Sequence, residues 1–109
     1  MKTFLAAETC PVRNIVSLFG DKWSLLVISS LAANGTMRFS ELQKSIGDVS
    51  QRMLTVTLKQ LQQLHLVNRV AFNEIPPRVE YSLTSLGQSL VPRIDALIEW
   101  AIEHREECL

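Results

Sequence analysis

Two adjacent prolines, Pro76 and Pro77, stand between the stretches "LVNRVAF" at 66–72 and "VEYSL" at 79–83, both of which read as strands. Neither proline has an N–H to give a sheet ladder, and each steers the residue before it away from helix. The arrangement that accommodates all three features is a β-hairpin whose tip lies outside the ladder. The prolines stiffen that tip and hold Arg78 at its edge.

The remainder of the chain is helical in pattern. "PVRNIVSLFG" reads as a first helix, with Pro11 at its first position, Val12, Ile15, Val16 and Phe19 at helical spacing, and Gly20 as the break. Asp21 is the expected N-cap of "KWSLLVISSLAAN", a helix with a stripe of Trp23, Leu26, Val27 and Leu31 widened by Leu25 and Ile28. Asn34-Gly35 supplies its stop. A short extended piece, "TMRF", leads into "SELQKSI", where Phe39, Leu42 and Ile46 share a face. Gly47-Asp48-Val49 forms a turn, and Ser50 is the expected N-cap of "QRMLTVTLKQLQQLH". Leu54, Leu58 and Leu61 mark the buried face of that helix, which leaves Gln51, Arg52, Thr55, Val56, Lys59 and Gln63 outside.

After the hairpin, Thr84-Ser85-Leu86-Gly87-Gln88 offers caps for a last helix over about 85–106, with Ser85 and Gln88 at capping-box spacing. Leu90, Ile94, Leu97, Ile98 and Ala101 form its apolar stripe, with Trp100 to one side. That is more apolar surface than so small a core absorbs, which predicts burial against a second copy of the chain. Two helices joined by a Gly-containing turn, then a hairpin, then a long helix is the order of a winged helix-turn-helix. The expected fold is therefore mainly α with a small antiparallel β-hairpin (α+β), dimerising through its N- and C-terminal helices. The expected divisions of one domain over 1–109 are a helix-turn-helix at about 38–64, a wing at about 66–83 and a dimerisation helix at about 85–106.

Composition sets the function class. The 109 residues suffice for one domain, and 47% apolar with 20% charged residues is ordinary for a soluble globular protein. No apolar run reaches roughly 18 residues, and "MKTFLAAETC" is too weak for a secretory signal, so a cytoplasmic protein with no membrane partner is expected. Two distant cysteines, Cys10 and Cys108, make no disulfide framework. The formal net charge is zero, but residues 49–73 contain no acidic residue and three basic ones, Arg52, Lys59 and Arg69. The chain from Asp95 onward is rich in carboxylates instead, so a positive face and a negative end are expected despite the zero sum.

Five blocks of the sequence carry a closer resemblance. "CPV" at 10–12, "GDKWSLLVI" at 20–28, "RFSELQ" at 38–43, "SQRMLT" at 50–55 and "IPPRVEYSLTSLGQSL" at 75–90 resemble the HxlR-type winged-helix regulators, which are related to the MarR-like regulators. The resemblance implies a homodimeric, DNA-binding regulator of transcription. DNA would be read by the second helix of the motif and flanked by the wing, and the dimer would be built by the first and last helices. In some relatives the cysteine matching Cys10 senses oxidants or electrophiles. The chain departs from the family at Val56 and Thr57, where longer polar residues are common, at Leu64-His65, where an acidic-glycine pair is usual, and at Ser85, where proline is common.

The candidate DNA contacts are Arg38, Ser50, Gln51, Arg52, Thr55, Val56, Lys59 and Arg78. Arg52 and Lys59 suit phosphate, and Gln51 and Thr55, near the helix N-terminus, suit base edges. Arg78 is expected on phosphate or in the minor groove, against the competing reading of an ion pair with Glu74 or Glu80. Cys10, at a helix start where the dipole favours thiolate, is the candidate redox-sensing residue. His65 reads as a C-terminal dipole partner, and Trp23 as core beside a candidate small-molecule pocket. His104 and Cys108, four apart, are too few to hold a metal, so neither metal nor cofactor is expected. No nucleophile–base pairing or phosphate loop supports an enzyme. The expected partners are a pseudo-palindromic stretch of double-stranded DNA, a second copy of the chain, and an oxidant or small-molecule effector. The competing reading is a winged-helix protein-interaction module, or a thiol sensor without promoter binding, to which the zero net charge lends support.

Overall fold

The computed structural model describes residues 10–108, apart from the side chains of Cys10, Pro11, Arg13 and Phe19. The chain begins with helix α1, Cys10–Val16, which tightens into a 3-10 turn over Ser17–Gly20 instead of running through as one helix. Asp21 then caps α2, Lys22–Asn34, as expected: its carboxylate accepts from the Trp23 N–H at 3.0 Å and from the Ser24 hydroxyl at 2.8 Å. Val27, Ile28 and Leu31 are buried along α2, whereas Leu26 is exposed. Gly35 ends the helix at φ 75° with its N–H on the Leu31 carbonyl, a conformation that glycine adopts without steric cost.

Strand β1, Met37–Arg38, is short and leads directly into α3, Phe39–Ile46, where the Arg38 N–H donates to the Glu41 carboxylate at 2.8 Å. Gly47, at φ 96°, closes α3 onto the Gln43 carbonyl. Ser50 caps α4, Gln51–Gln63, accepting from the Met53 N–H at 3.1 Å. The end of α4 carries an unusual residue. His65 takes φ 61° and donates its N–H to the Gln62 carbonyl while the Leu66 N–H bonds to that of Leu61. This is the Schellman pattern, with histidine where glycine is usual and with Leu61 and Leu66 both buried beside it. Beyond the side chain considered in the sequence, His65 supplies a left-handed backbone at the helix end.

Strands β2, Val67–Phe72, and β3, Arg78–Leu83, form the expected hairpin. β1 pairs on the far side of β3 through Met37 with Tyr81 and Arg38 with Glu80, so the sheet has three antiparallel strands in the order β1-β3-β2. Within the hairpin, Val67 lies opposite Leu83, Arg69 opposite Tyr81 and Phe72 opposite Arg78.

The last helix starts at Ser85 as expected and ends earlier than expected. Of the caps that the sequence offers, Thr84 is the one used, accepting from the Gly87 N–H at 2.9 Å. Thr84 is preferred because its hydroxyl also donates to the His65 carbonyl at 2.7 Å, a tertiary partner that Ser85 lacks. Helix α5 runs Ser85–Glu103, breaks at His104, and is followed by the short α6, Arg105–Cys108. No described helix is long and apolar enough to cross a membrane.

Leu42, Leu54, Leu58, Leu61, Val67, Tyr81 and Ile94 join the α2 residues in the core. Ile94 thus requires a correction. It was expected at a dimer interface, yet it is 1% exposed within its own chain, because this part of α5 packs over α2. Leu90 is half-buried against the same core. The apolar surface left free on α5 lies further along, at Leu97, Ile98, Trp100, Ala101 and Ile102, and Val12, Ile15 and Leu26 are exposed on α1 and α2.

Candidate nucleic-acid interface

Helix α4 presents two unlike faces. Leu54, Thr57, Leu58 and Leu61 are buried, which fixes the helix on the core and points the opposite side outward. Gln51, Arg52, Thr55, Val56, Lys59 and Gln63 are all exposed. Thr57, grouped with Val56 as a departure from family pattern, does not belong to the outer face, since it is 1% exposed.

The polar groups on this face are in different states. The Ser50 hydroxyl is engaged as the helix cap, and the Thr55 hydroxyl donates to the Gln51 carbonyl at 2.8 Å, leaving its oxygen free to accept. Neither Arg52 nor Lys59 has a carboxylate partner among the described residues, and the same holds for exposed Arg38. Unpaired cations on an exposed helix are the form that neutralises phosphate. Val56, 42% exposed, adds an apolar group of the kind that packs on a thymine methyl. Met53, 41% exposed on the edge of the same face, had no prominence in the sequence because its neighbours in the pattern are polar.

The wing is built differently. Arg78 pairs with Glu74 at 3.2 Å and Glu80 at 3.6 Å, and its guanidinium lies over the Phe72 ring at 4.0 Å. Both carboxylates named as competitors in the sequence are therefore engaged. The proline-bearing tip leaves Ile75 fully exposed.

One basic residue escaped notice as a site candidate. Arg69 on β2 faces the same side of the hairpin as Val67, and with Tyr81 it lines a cleft of about 390 Å³ shared with Thr55, Leu58, Lys59 and Gln62 of α4. Strand alternation from Val67 was the signal that could have placed it there. A second cleft, of about 340 Å³, lies between the 3-10 turn and the end of α4, lined by Asn14, Ser17, Leu18, Asp21, Gln60, Gln63 and Leu64. Among the described residues no group of three or more metal-ligating side chains occurs, and Cys108 is an exposed free thiol. The Cys10 side chain lies outside the described residues.

A helix fixed by a buried leucine face, an exposed face with unpaired cations and an adjoining hairpin match the residues that the HxlR-like helix-turn-helix family model covers, 18–108. The chain belongs to the HxlR-like helix-turn-helix family. It is 47% identical over 91 residues to an HTH-type transcriptional regulator of Methanothermobacter thermautotrophicus, an alignment that covers 84% of this chain and 69% of the relative. A transcriptional regulator of the MarR family from Porphyromonas gingivalis superposes with a TM-score of 0.78 at 39% identity, covering 91% of this chain and 96% of the other. The redox regulator HypR in its reduced form gives a TM-score of 0.80 at 33% identity, covering 90% and 96%. This HxlR-family chain is accordingly a helix-turn-helix transcriptional regulator on a winged-helix fold, and its relatives are regulators, not enzymes.

Proposed function

We propose that the protein acts as a homodimer that binds a pseudo-palindromic operator, with α4 of each protomer in the major groove. The observation that carries this reading is the exposed face of α4, where Arg52 and Lys59 stand without carboxylate partners above a buried Leu54, Leu58 and Leu61. Arg52 and Lys59 neutralise phosphates, and Gln51, Thr55 and Val56 read base edges. Ser50, at the start of α4, and Arg38, at the start of α3, flank the backbone. Arg78 reaches the backbone by exchanging Glu74 or Glu80 for a phosphate oxygen.

Dimerisation uses the apolar surface left on α5 at Leu97, Ile98 and Ala101, extended by Trp100 and Ile102, with α1 contributing Val12 and Ile15. The two recognition helices then lie about 34 Å apart, one turn of DNA. The likeness to a redox regulator supports an oxidant as effector, acting through Cys10 at the start of α1. The cleft between the 3-10 turn and α4 offers a place where a small molecule could act on the recognition helix.

Selection of bound DNA from a random pool tests the reading, repeated with Cys10→Ser. A two-fold symmetric consensus with half-sites about 10 base pairs apart is expected. Absence of any enriched sequence favours the protein-interaction reading, for which the zero net charge is the supporting observation. An unaltered response to oxidants in Cys10→Ser contradicts the thiol switch.

A further inference from the structure

The cleft between α4 and the wing has a composition that the recognition helix alone does not explain. Its α4 wall carries Thr55, Lys59 and Gln62, and its hairpin wall carries Arg69 and Tyr81. Arg69 and Tyr81 are register partners on adjacent strands, so both side chains fall on one face of the sheet. That face is anchored: Val67, two residues before Arg69, is 3% exposed, and Tyr81 is 8% exposed. Leu58, 1% exposed, closes the floor. Two cations thus face one cleft from two rigid elements, and no acidic residue lines it.

The charge state of the wing makes this cleft its electropositive end. Arg78, at the tip end of β3, is matched by Glu74 at the tip and by Glu80, which lies opposite Val70 along the strand. Arg69, opposite Tyr81 in the half of the hairpin nearer its base, has no carboxylate partner among the described residues, nor has Lys59. The charge of Arg78 is offset by its two carboxylates, whereas those of Arg69 and Lys59 are free to attract an anion to the cleft.

Resting on the DNA-binding reading, we propose that this cleft seats one DNA backbone phosphate per protomer, held between Lys59 and Arg69, and that Arg69 is the principal anchor of the wing. A phosphate takes a point charge from lysine on one side and the fork of an arginine on the other. Thr55 and Gln62 border the seat with neutral hydrogen-bonding groups. Such a contact fixes the register of α4 in the groove without reading sequence.

The test is the salt dependence of DNA binding by the full chain and by Arg69→Ala, Arg69→Lys and Arg78→Ala, with ethylation interference to locate protected phosphates. Arg69→Ala is expected to lower the slope of log affinity against log salt by about 0.9 per protomer, to abolish protection at one phosphate per half-site, and to leave the selected base consensus unchanged. Arg69→Lys retains most of the slope, and Arg78→Ala changes it less than Arg69→Ala does. An Arg69→Ala protein that binds with unchanged slope and unchanged ethylation pattern, while Arg52→Ala weakens binding, overturns the seat and leaves the DNA-binding reading standing. A folded wild-type chain with no salt-sensitive binding to any pool overturns both. Thermal midpoints measured alongside separate loss of contact from loss of fold, and a loss of binding that follows the midpoint also overturns the seat.

Discussion

Thr84 donates its hydroxyl to the His65 carbonyl at 2.7 Å, which ties the N-terminus of α5 to the end of α4. The Thr84 N–H adds a bond to the Leu66 carbonyl at 3.1 Å, and the same hydroxyl accepts from Gly87 at 2.9 Å. One residue thus caps the helix that carries the free apolar surface and holds the last turn of α4. Thr84→Val removes the cap and the tie together while keeping the shape. A loss of about 1–2 kcal/mol of stability is expected in urea denaturation. A midpoint equal to wild type contradicts the role.

Gly87 belongs to the same joint. A Cβ at this position would collide with the Leu66 carbonyl oxygen, which is backbone and already engaged by Thr84. Gly87→Ala, normally favourable inside a helix, is therefore expected to destabilise by about 1–3 kcal/mol. A stabilised Gly87→Ala protein would show that α5 can shift away freely.

His65 gives the opposite sign. Its φ of 61° is a conformation that histidine tolerates at a cost and glycine does not feel. His65→Gly is expected to raise stability by about 0.5–1 kcal/mol, after the added freedom of the unfolded chain is subtracted. The check is the shift in denaturant midpoint, and a lower midpoint means that the imidazole itself matters.

Most of the frame was legible in the sequence because it is set by local chemistry. Pro76 and Pro77 announce the hairpin tip, Asp21 and Ser50 announce two N-caps, and the spacing of Leu54, Leu58 and Leu61 orients α4. The rest lies where tertiary partners choose between local equals. Thr84 and Ser85 are both good caps one residue apart, and the His65 carbonyl decides between them. Ile94 and Leu97 share one helical stripe, but only the part of α5 lying over α2 is buried by its own chain. Alternation from Val67 gives the face on which Arg69 lies, but only the fold brings that face beside Lys59.

The wing tip offers a charge test. Glu74 holds Arg78 at 3.2 Å, so under the proposed DNA-binding function it competes with phosphate for that guanidinium. Because a surface pair of this kind is worth about 0.2–1 kcal/mol, Glu74→Gln is expected to tighten DNA binding by about two- to fivefold at low salt, with the gain fading as salt rises. Fluorescence anisotropy at two salt concentrations reads this directly. Weaker binding by Glu74→Gln would mean that the carboxylate braces the wing in its binding shape.

The central claim is that α4 presents its unpaired cations to the DNA backbone. Its most direct test is an anisotropy titration of a pool-selected operator between about 50 and 200 mM salt, with wild type and the Arg52→Ala/Lys59→Ala variant. Wild type is expected to lose affinity by about a thousandfold or more over that range if the dimer makes at least about six phosphate contacts. The variant is expected to bind more weakly to every sequence, with a shallower slope. Unchanged affinity and slope in a folded variant would contradict the assignment of α4 as the DNA-facing helix.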